Sequence, residues 1–390
     1  MSQYIPRRLE RPLSEALDQF PVVLVTGARQ AGKSTLLRHS LHGYNYVTLD
    51  DVLVRELAKT DPALFLKTHR APLIIDEIQY APGLLEQIKL DVDENRKEYG
   101  RYVLTGSQFF PLMHGVGESL SGRIMVFQLY PLSVEELPNF NRFEEAEVIA
   151  QMLRGFYPEF SVQPNLNPKF WHSSYLTTYI ERDIRSLRNI HNLSQFHRYL
   201  VLLAARAGQL LNLSEISKEC GISQTTARDW LVLLESTSII YLLEPYASNL
   251  TKRVVKAPKI YFVDTGLLCY LLRIHDSEQL TYSPFSGHVF ENMVVMEAVK
   301  HFAAKGERAP CYFYRSDKKV EVDLIIDFGT HLDAYEIKFS ASPKQEMTKS
   351  LALFRDRSKL KHAYLLNLRE SDLPFSNGIT AKHWSHILSF

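Results

Sequence analysis

The sequence predicts an α/β chain in three parts: a parallel sheet of βαβ units, a helical segment, and a second, small α/β unit. Three observations carry this. The first third alternates short apolar runs with helical stretches, the layout of parallel strands joined by crossover helices. Pro158, Pro164 and Pro168 then cluster where the composition shifts, and the pattern from Trp171 to Ser236 is helical. The last hundred residues contain acidic and apolar side chains alternating at period two, as half-buried strands do.

The elements follow in order. PVVLVTG (21–27) is a buried strand, and KSTLLRHSL is the helix it feeds. NYVTLD (45–50), PLIIDEI (72–78) and RYVLTGS (101–107) are further strands, and IMVFQLYPLS (124–133) completes the sheet. The proline cluster sets the first boundary, giving a unit over 1–155. The second unit, 156–280, is helical with a strand-like stretch broken by Pro245 and Pro258. A polar turn region over 281–287 opens the third, 281–390, which reads helix, strand, strand, and then an αβ unit containing HAYLLNL.

Composition limits the function classes. The 390 residues are 45% hydrophobic and 23% charged, an ordinary globular balance. Lys and Arg total 45 against 44 Asp and Glu, so a nucleic-acid partner must be met by a local patch rather than by net charge. Cys220, Cys269 and Cys311 are scattered without metal-ligand spacing, which argues against a disulfide framework or a structural zinc. No apolar run approaches the ~18 residues of a membrane span. The expectation is a soluble, cytoplasmic protein with no membrane partner.

Gly27-Ala28-Arg29-Gln30-Ala31-Gly32-Lys33-Ser34-Thr35 matches GxxxxGK[ST] between a strand and a helix. Glycines let backbone N–H groups close around phosphates, and the following helix N-terminus adds donors and a favourable dipole. Lys33 is positioned for the β/γ-phosphates of ATP, and the Ser34 hydroxyl for Mg²⁺. Leu73-Ile74-Ile75-Asp76-Glu77 brings two carboxylates to a strand end, where open α/β sheets bind ligands. Asp76 then helps to hold Mg²⁺ and Glu77 polarises the attacking water. Ser107 or Gln108 is a candidate γ-phosphate sensor, with an ordinary turn or helix cap as the alternative. Arg123 is a candidate arginine finger acting on a neighbouring subunit of a homo-oligomer, or an unrelated surface arginine.

TGARQAGKST, LIIDEIQ, LTGSQ and LSGR, in that order over roughly residues 20–135, resemble the AAA-superfamily ATPases of bacteria and archaea. The resemblance implies a P-loop NTPase parallel sheet that performs ATP-dependent conformational work with Mg²⁺.

In the middle segment, an amphipathic helix (196–208) precedes a short helix (214–220), a Gly221-Ile222-Ser223 turn and a further helix (225–235). IIYLLEPY then begins a strand. This order looks like a winged helix-turn-helix. On DNA, Gln224, Thr225, Thr226 and Arg228 face bases or phosphates, and Lys252, Arg253 and Lys256 make the wing basic. The same motif also serves protein interaction. Residues 175–188, with alternating charges, read as a solvated helix between units.

In the last unit, Asp323 lies in VEVDLII, and Glu336 and Lys338 lie in AYEIKF, on one face of their strand. Two carboxylates on paired strands can bind a divalent cation with Lys338 orienting a water; the alternative is a strand pair with charges on its wet face. The pattern resembles the PD-(D/E)xK nucleases over roughly residues 285–345, with Val322 where the family has proline. That resemblance supplies Glu291, in the preceding helix, as a third carboxylate. The whole order resembles a widespread prokaryotic family that joins an archaeal-type AAA ATPase domain to a C-terminal domain of unknown function with a nuclease-like core. The leading expectation is an ATP-driven DNA-processing protein whose C-terminal unit cuts DNA or holds it with Mg²⁺. The rival is a nucleotide-switched regulator that binds protein or DNA without cutting.

Overall fold

The computed structural model describes residues 4–107, 119–183, 192–246, 257–316, 320–355 and 360–389, without the side chains of 180–183 and 355. Gln108 and the basic residues Lys252, Arg253 and Lys256 lie outside the described residues.

The first sheet contains β1 (Val22–Thr26), β2 (Asn45–Thr48), β3 (Leu73–Asp76), β4 (Tyr102–Gly106) and β5 (Ile124–Gln128). Their order is β2-β3-β4-β1-β5, and every pairing is parallel. Strands β1 and β4 are buried throughout, which is why they read as continuous apolar runs. Alternate residues divide between two cores. Val23, Val25, Ile74 and Val103 pack with Leu13 of helix α1 (Glu10–Leu17) and with Leu36 and Leu37 of α2 (Lys33–Ser40). Val22, Leu24, Ile75 and Leu104 pack on the other face. Their partners include Ala58 of α3 (Val52–Thr60), Phe65 of α4 (Pro62–Thr68) and Ile88 of α5 (Leu84–Glu94).

A helical segment follows: α6 (Glu145–Arg154), α7 (Pro158–Val162) and α8 (Pro168–Tyr175), the last running into a π-helical stretch, Leu176–Asp183. The expected solvated helix differs here. Tyr175, Leu176 and Tyr179 are buried, because their spacing puts them on one stripe that packs into the central core, with Tyr175 against Tyr157 and Trp171. Helices α9 (Leu193–Ala204), α10 (Leu213–Cys220) and α11 (Gln224–Ser236) come next. The antiparallel strands β6 (Ile240–Leu243) and β7 (Lys259–Phe262) complete the segment.

Three helices follow β7. They are α12 (Thr265–Leu271), α13 (Ser277–Tyr282) and α14 (Ser286–Ala303), of which only the last was anticipated. Asp264 and Asp276 cap α12 and α13 by accepting from Leu267 N and Gln279 N. Residues 289–302 of α14 are all buried, and it packs against β7, β10 (Leu332–Ile337) and α6. The second sheet is mixed, with order β12-β13-β11-β10-β9-β8. Its other strands are β8 (Cys311–Arg315), β9 (Glu321–Asp327), β11 (Leu360–Asn367), β12 (Leu373–Pro374) and β13 (Thr380–His383). Helix α15 (Lys349–Arg355) packs on β9, β10 and β11. The fold is thus α/β overall: a parallel five-stranded sheet with helices, a helical segment and a small mixed sheet. One apolar core runs from Tyr130 and Val134 through the middle helices to α14 and Tyr335.

Candidate functional site

The loop from Gly27 to Gly32 connects β1, in the sheet's interior, to the first turn of α2. Gly27 has φ +140°, and a Cβ there would stand 2.0 Å from the Leu129 carbonyl oxygen, so the chain needs glycine at this point. Gly32 is left-handed at the helix start, and Lys33, Ser34 and Thr35 open the helix. The Lys33 ammonium is buried and donates to the carbonyls of Gly27 and Ala28, 3.0 Å each. Burial pulls its pKa down, opposed by the charges of Glu77 and Asp76. Arg7, from the N-terminal arm, reaches the back of the loop. It donates to Ala31 O and Tyr130 O at 2.7 Å each and pairs with Glu136 at 3.1 Å.

Asp76 ends β3, buried next to the start of α2. Its carboxylate accepts the Ser34 hydroxyl at 2.9 and 2.8 Å, the Tyr46 hydroxyl at 2.6 Å and the Thr105 hydroxyl. Burial, with the Asp76 hydrogen bond second, pushes the Tyr46 phenol up. Glu77 sits at φ +60°, a left-handed conformation unusual for a non-glycine residue. Its N–H donates to Thr105 Oγ1 at 3.1 Å, and its carboxylate accepts from Gln79. Ser107 Oγ lies 3.5 Å from Glu77 Oε2 and 3.3 Å from Gln79 Nε2. A hydroxyl and a carboxylate in contact at a helix N-terminus are the hard oxygen donors that Mg²⁺ takes. A buried ammonium beside a glycine loop suits phosphate. These residues therefore fit a nucleotide with its cation.

Arg123 stands apart. It precedes β5, its carbonyl accepts from Val22 N at the start of β1, and its guanidinium grips Asp93 of α5 at 2.8 and 3.1 Å. The glycine loop leaves the other end of β1.

The second candidate cluster gathers around β9 and β10. These strands pair antiparallel with Tyr335 opposite Leu324, which brings Glu336 next to Asp323. Lys338 Nζ lies 2.7 Å from Glu336 Oε1 and 3.5 Å from Asp323 Oδ2. Glu291 joins from α14, where Tyr261 donates to it at 2.7 Å. Sequence reasoning missed Lys259, whose buried ammonium stands 3.2 Å from Glu291, 2.7 Å from Glu321 and 3.7 Å from Asp323. The signal was present in Lys259-Ile260-Tyr261, whose alternation puts the lysine and tyrosine on one face. Gly208 lies against the cluster, since a Cβ there would come within 3.3 Å of both Glu291 and His288.

Burial, then the Asp323 charge, pushes Glu336 up to about 8 and Glu291 up to about 7. Burial alone would lower Lys259 and Lys338, but the surrounding carboxylates outweigh it and hold both above the usual lysine range. Among the described residues, one group of three His, Cys, Asp or Glu has ligand atoms all within 4.8 Å of one another: His331, Asp333 and His362. The expected metal set of Glu291, Asp323 and Glu336 is not such a group, and the ammoniums of Lys259 and Lys338 stand among its carboxylates.

In the middle segment, Asn212 caps α10, Gly221 ends it at φ +68°, and Ser223 caps α11 by accepting from Thr226 N at 3.0 Å. Gln224, Thr225 and Arg228 are exposed on the first two turns of α11, and Thr226 is half-buried. Ala227, Trp230, Leu231 and Leu234 turn inward.

Residues 19–138 match a family model described as AAA domain. Residues 145–278 and 286–387 match two models described as Domain of unknown function (DUF8612 and DUF4143). An uncharacterized protein of Mycobacterium tuberculosis is 32% identical over 332 residues, covering 85% of this chain and 73% of that protein. An uncharacterized protein of Mycobacterium bovis matches with the same figures. Among solved structures, a Walker-type ATPase of Pyrococcus abyssi superposes with a TM-score of 0.43 at 16% identity, covering 68% of this chain and 94% of that one. The glycine loop, Ser34 and Asp76 lie within the stretch that matches the AAA domain model.

Proposed function

The chain belongs to the family of these mycobacterial proteins, and on that premise we propose a Mg²⁺-dependent ATP hydrolase whose nucleotide state is coupled to DNA binding. The observation that carries this reading is the Ser34–Asp76 contact at 2.8 Å beside the buried Lys33. Backbone N–H groups of residues 27–35 cradle the phosphates, and Lys33 exchanges its loop carbonyls for β/γ-phosphate oxygens. Ser34 and Asp76 hold Mg²⁺, which when bound neutralises phosphate charge. Glu77, fixed through its backbone by Thr105 and through its side chain by Gln79, takes the role of orienting the attacking water. Ser107 reports the γ-phosphate to the same network. Arg123 acts in trans if the chain assembles into a homo-oligomer, after leaving Asp93.

We divide the chain at 155/156 and 280/281, with the middle unit as a winged helix-turn-helix. Its exposed Gln224, Thr225 and Arg228 suit the major groove, with Thr226 completing the helix start. For the C-terminal unit, a specific observation favours binding over cutting. Lys259 stands between Glu291 and Asp323, where a nuclease of the PD-(D/E)xK type needs its cation. We therefore assign Asp323, Glu336 and Lys338 to a nuclease-like core that holds its partner without cleaving it while Lys259 is in place.

The test is ATP turnover with and without duplex DNA, together with cleavage of linear and circular DNA in Mg²⁺ or Mn²⁺. Turnover that DNA alters, with no cutting, supports the reading. Cutting that Asp323→Ala and Lys338→Ala both abolish would replace it with a nuclease, and absent turnover would remove the ATPase itself.

A further inference from the structure

The motifs above leave His331, Asp333 and His362 unused. Asp333 lies on β10 and His362 on β11, and the two strands pair in parallel with these residues opposite each other. A bulge between Leu332 and Asp333 shifts the register just before the pair, and bulges of this kind re-aim side chains. His331 immediately precedes β10. Strand alternation puts Asp333 on the opposite face from Glu336, so this grouping is separate from the carboxylate–lysine cluster.

The geometry suits a cation. His362 Nδ1 lies 2.9 Å from Asp333 Oδ1, and His331 Nε2 lies 3.9 Å from the same oxygen. Two ligands ~2.1 Å from a tetrahedral ion stand about 3.4 Å apart, between these two separations. The surroundings fix each ligand. Thr330 Oγ1 lies 3.0 Å from His331 Nδ1, which leaves Nε2 for Asp333, and Phe328 stacks on the His331 ring at 4.8 Å. Tyr335 hydrogen-bonds the Asp333 carboxylate, and Tyr364 stacks beside His362. Hydrogen bonds behind the ligands are what orient donors in metal centres. Asp333 is buried, whereas both histidines are partly exposed, so an ion can enter from solvent.

We propose that His331, Asp333 and His362 form a binding site for a borderline divalent transition ion such as Zn²⁺, with a fourth position left to water or a partner group. Two imidazoles with one carboxylate favour such ions over Mg²⁺ or Ca²⁺, which prefer all-oxygen sets. The site is independent of the nucleotide loop and of the Asp323 cluster.

The experiment titrates Zn²⁺, and separately Co²⁺ followed by visible absorption, into the chelator-treated full chain without nucleotide. One strong site per chain is expected, with Co²⁺ bands of a four-coordinate centre and a rise in melting temperature on adding Zn²⁺. His362→Ala, His331→Ala and Asp333→Asn should each weaken binding by about tenfold or more. Asp323→Ala and Glu336→Ala should leave it unchanged. Circular dichroism of the two histidine variants checks that they are folded, as their partial exposure predicts. Zn²⁺ binding that persists in all three ligand variants, or no binding by the wild type, overturns the site and leaves a hydrogen-bonded Asp333–His362 pair.

Discussion

The ammonium of Lys259 lies 3.2 Å from Glu291 Oε1, so a hairpin strand of the middle segment and the long helix α14 share one buried ion pair. Three carboxylates surround this lysine, and none is fully exposed. The cluster couples the segments more tightly than a linker would.

Removing the lysine should therefore be costly. Lys259→Met is expected to destabilise the fold by about 3–5 kcal/mol, because it strands buried charge. Urea unfolding measures this. Adding Glu291→Gln should restore part of the loss, and a neutral Lys259→Met would mean that the ion pairs contribute nothing net.

The same cluster predicts a pH dependence. Glu336 and Glu291 are raised from 4.5 to about 8 and about 7. Between those values and the unfolded value, the folded chain binds protons that the unfolded chain has released. Their contribution to stability is full below about pH 4.5 and is lost as the pH rises through about 7 to 8. The stability of wild type relative to Glu336→Gln should fall from about pH 5.5 to about pH 8.5, read by denaturant midpoints. A flat difference would show that Glu336 is ionised throughout.

At the nucleotide loop, two substitutions should separate binding from turnover. Lys33→Ala is expected to weaken ATP binding and stop hydrolysis. Glu77→Gln should keep binding and slow phosphate release by ~10²-fold or more, the scale of a lost general base. Equal turnover in Glu77→Gln and wild type would take that role away from Glu77. Fluorescent-nucleotide binding and phosphate release read the two effects.

Hydroxyls that hold Asp76 should matter less for chemistry and more for stability. Tyr46→Phe removes a 2.6 Å hydrogen bond to a buried carboxylate, and about 1–3 kcal/mol of stability should go with it. Thermal melts at fixed pH check this, and an unchanged melting temperature would contradict it.

The exposed start of α11 gives a binding prediction. Arg228→Ala should weaken DNA binding and reduce the salt slope by about 1, as expected for one lost phosphate contact. Gln224→Ala should change sequence preference more than the slope. Fluorescence anisotropy across salt concentrations tests both, and DNA affinity that ignores both variants would turn attention to a protein partner.

Much of the geometry around the glycine loop was legible because its signals are local. The glycine loop and Asp76-Glu77 each sit at one strand end, and β1 and β3 declare themselves as apolar runs. The Asp323–Glu336–Lys338 grouping was also legible, since period two aligns Glu336 with Lys338 and a hairpin brings Asp323 alongside. Contacts across long stretches of chain were not. Lys259 meets Glu321 and Asp323 across the stretch of chain that carries α12 to α14, and Tyr46 meets Asp76 only through strand pairing. Charge alternation over 175–188 suggested a wet helix because it hid the Tyr175, Leu176 and Tyr179 stripe. Helices α12 and α13 escaped because each is short, so their capping aspartates were their main local signal.

Arg7 lies outside the stretch that the AAA family model covers, residues 19–138, yet it holds Ala31 O, Tyr130 O and Glu136. A fragment trimmed to the matched stretch would retain each motif side chain and lose the brace behind them. Glu136 would stay in such a fragment without its buried ion-pair partner. Inactivity of such a fragment would not by itself implicate the motif side chains, and expression boundaries need to begin upstream of Arg7.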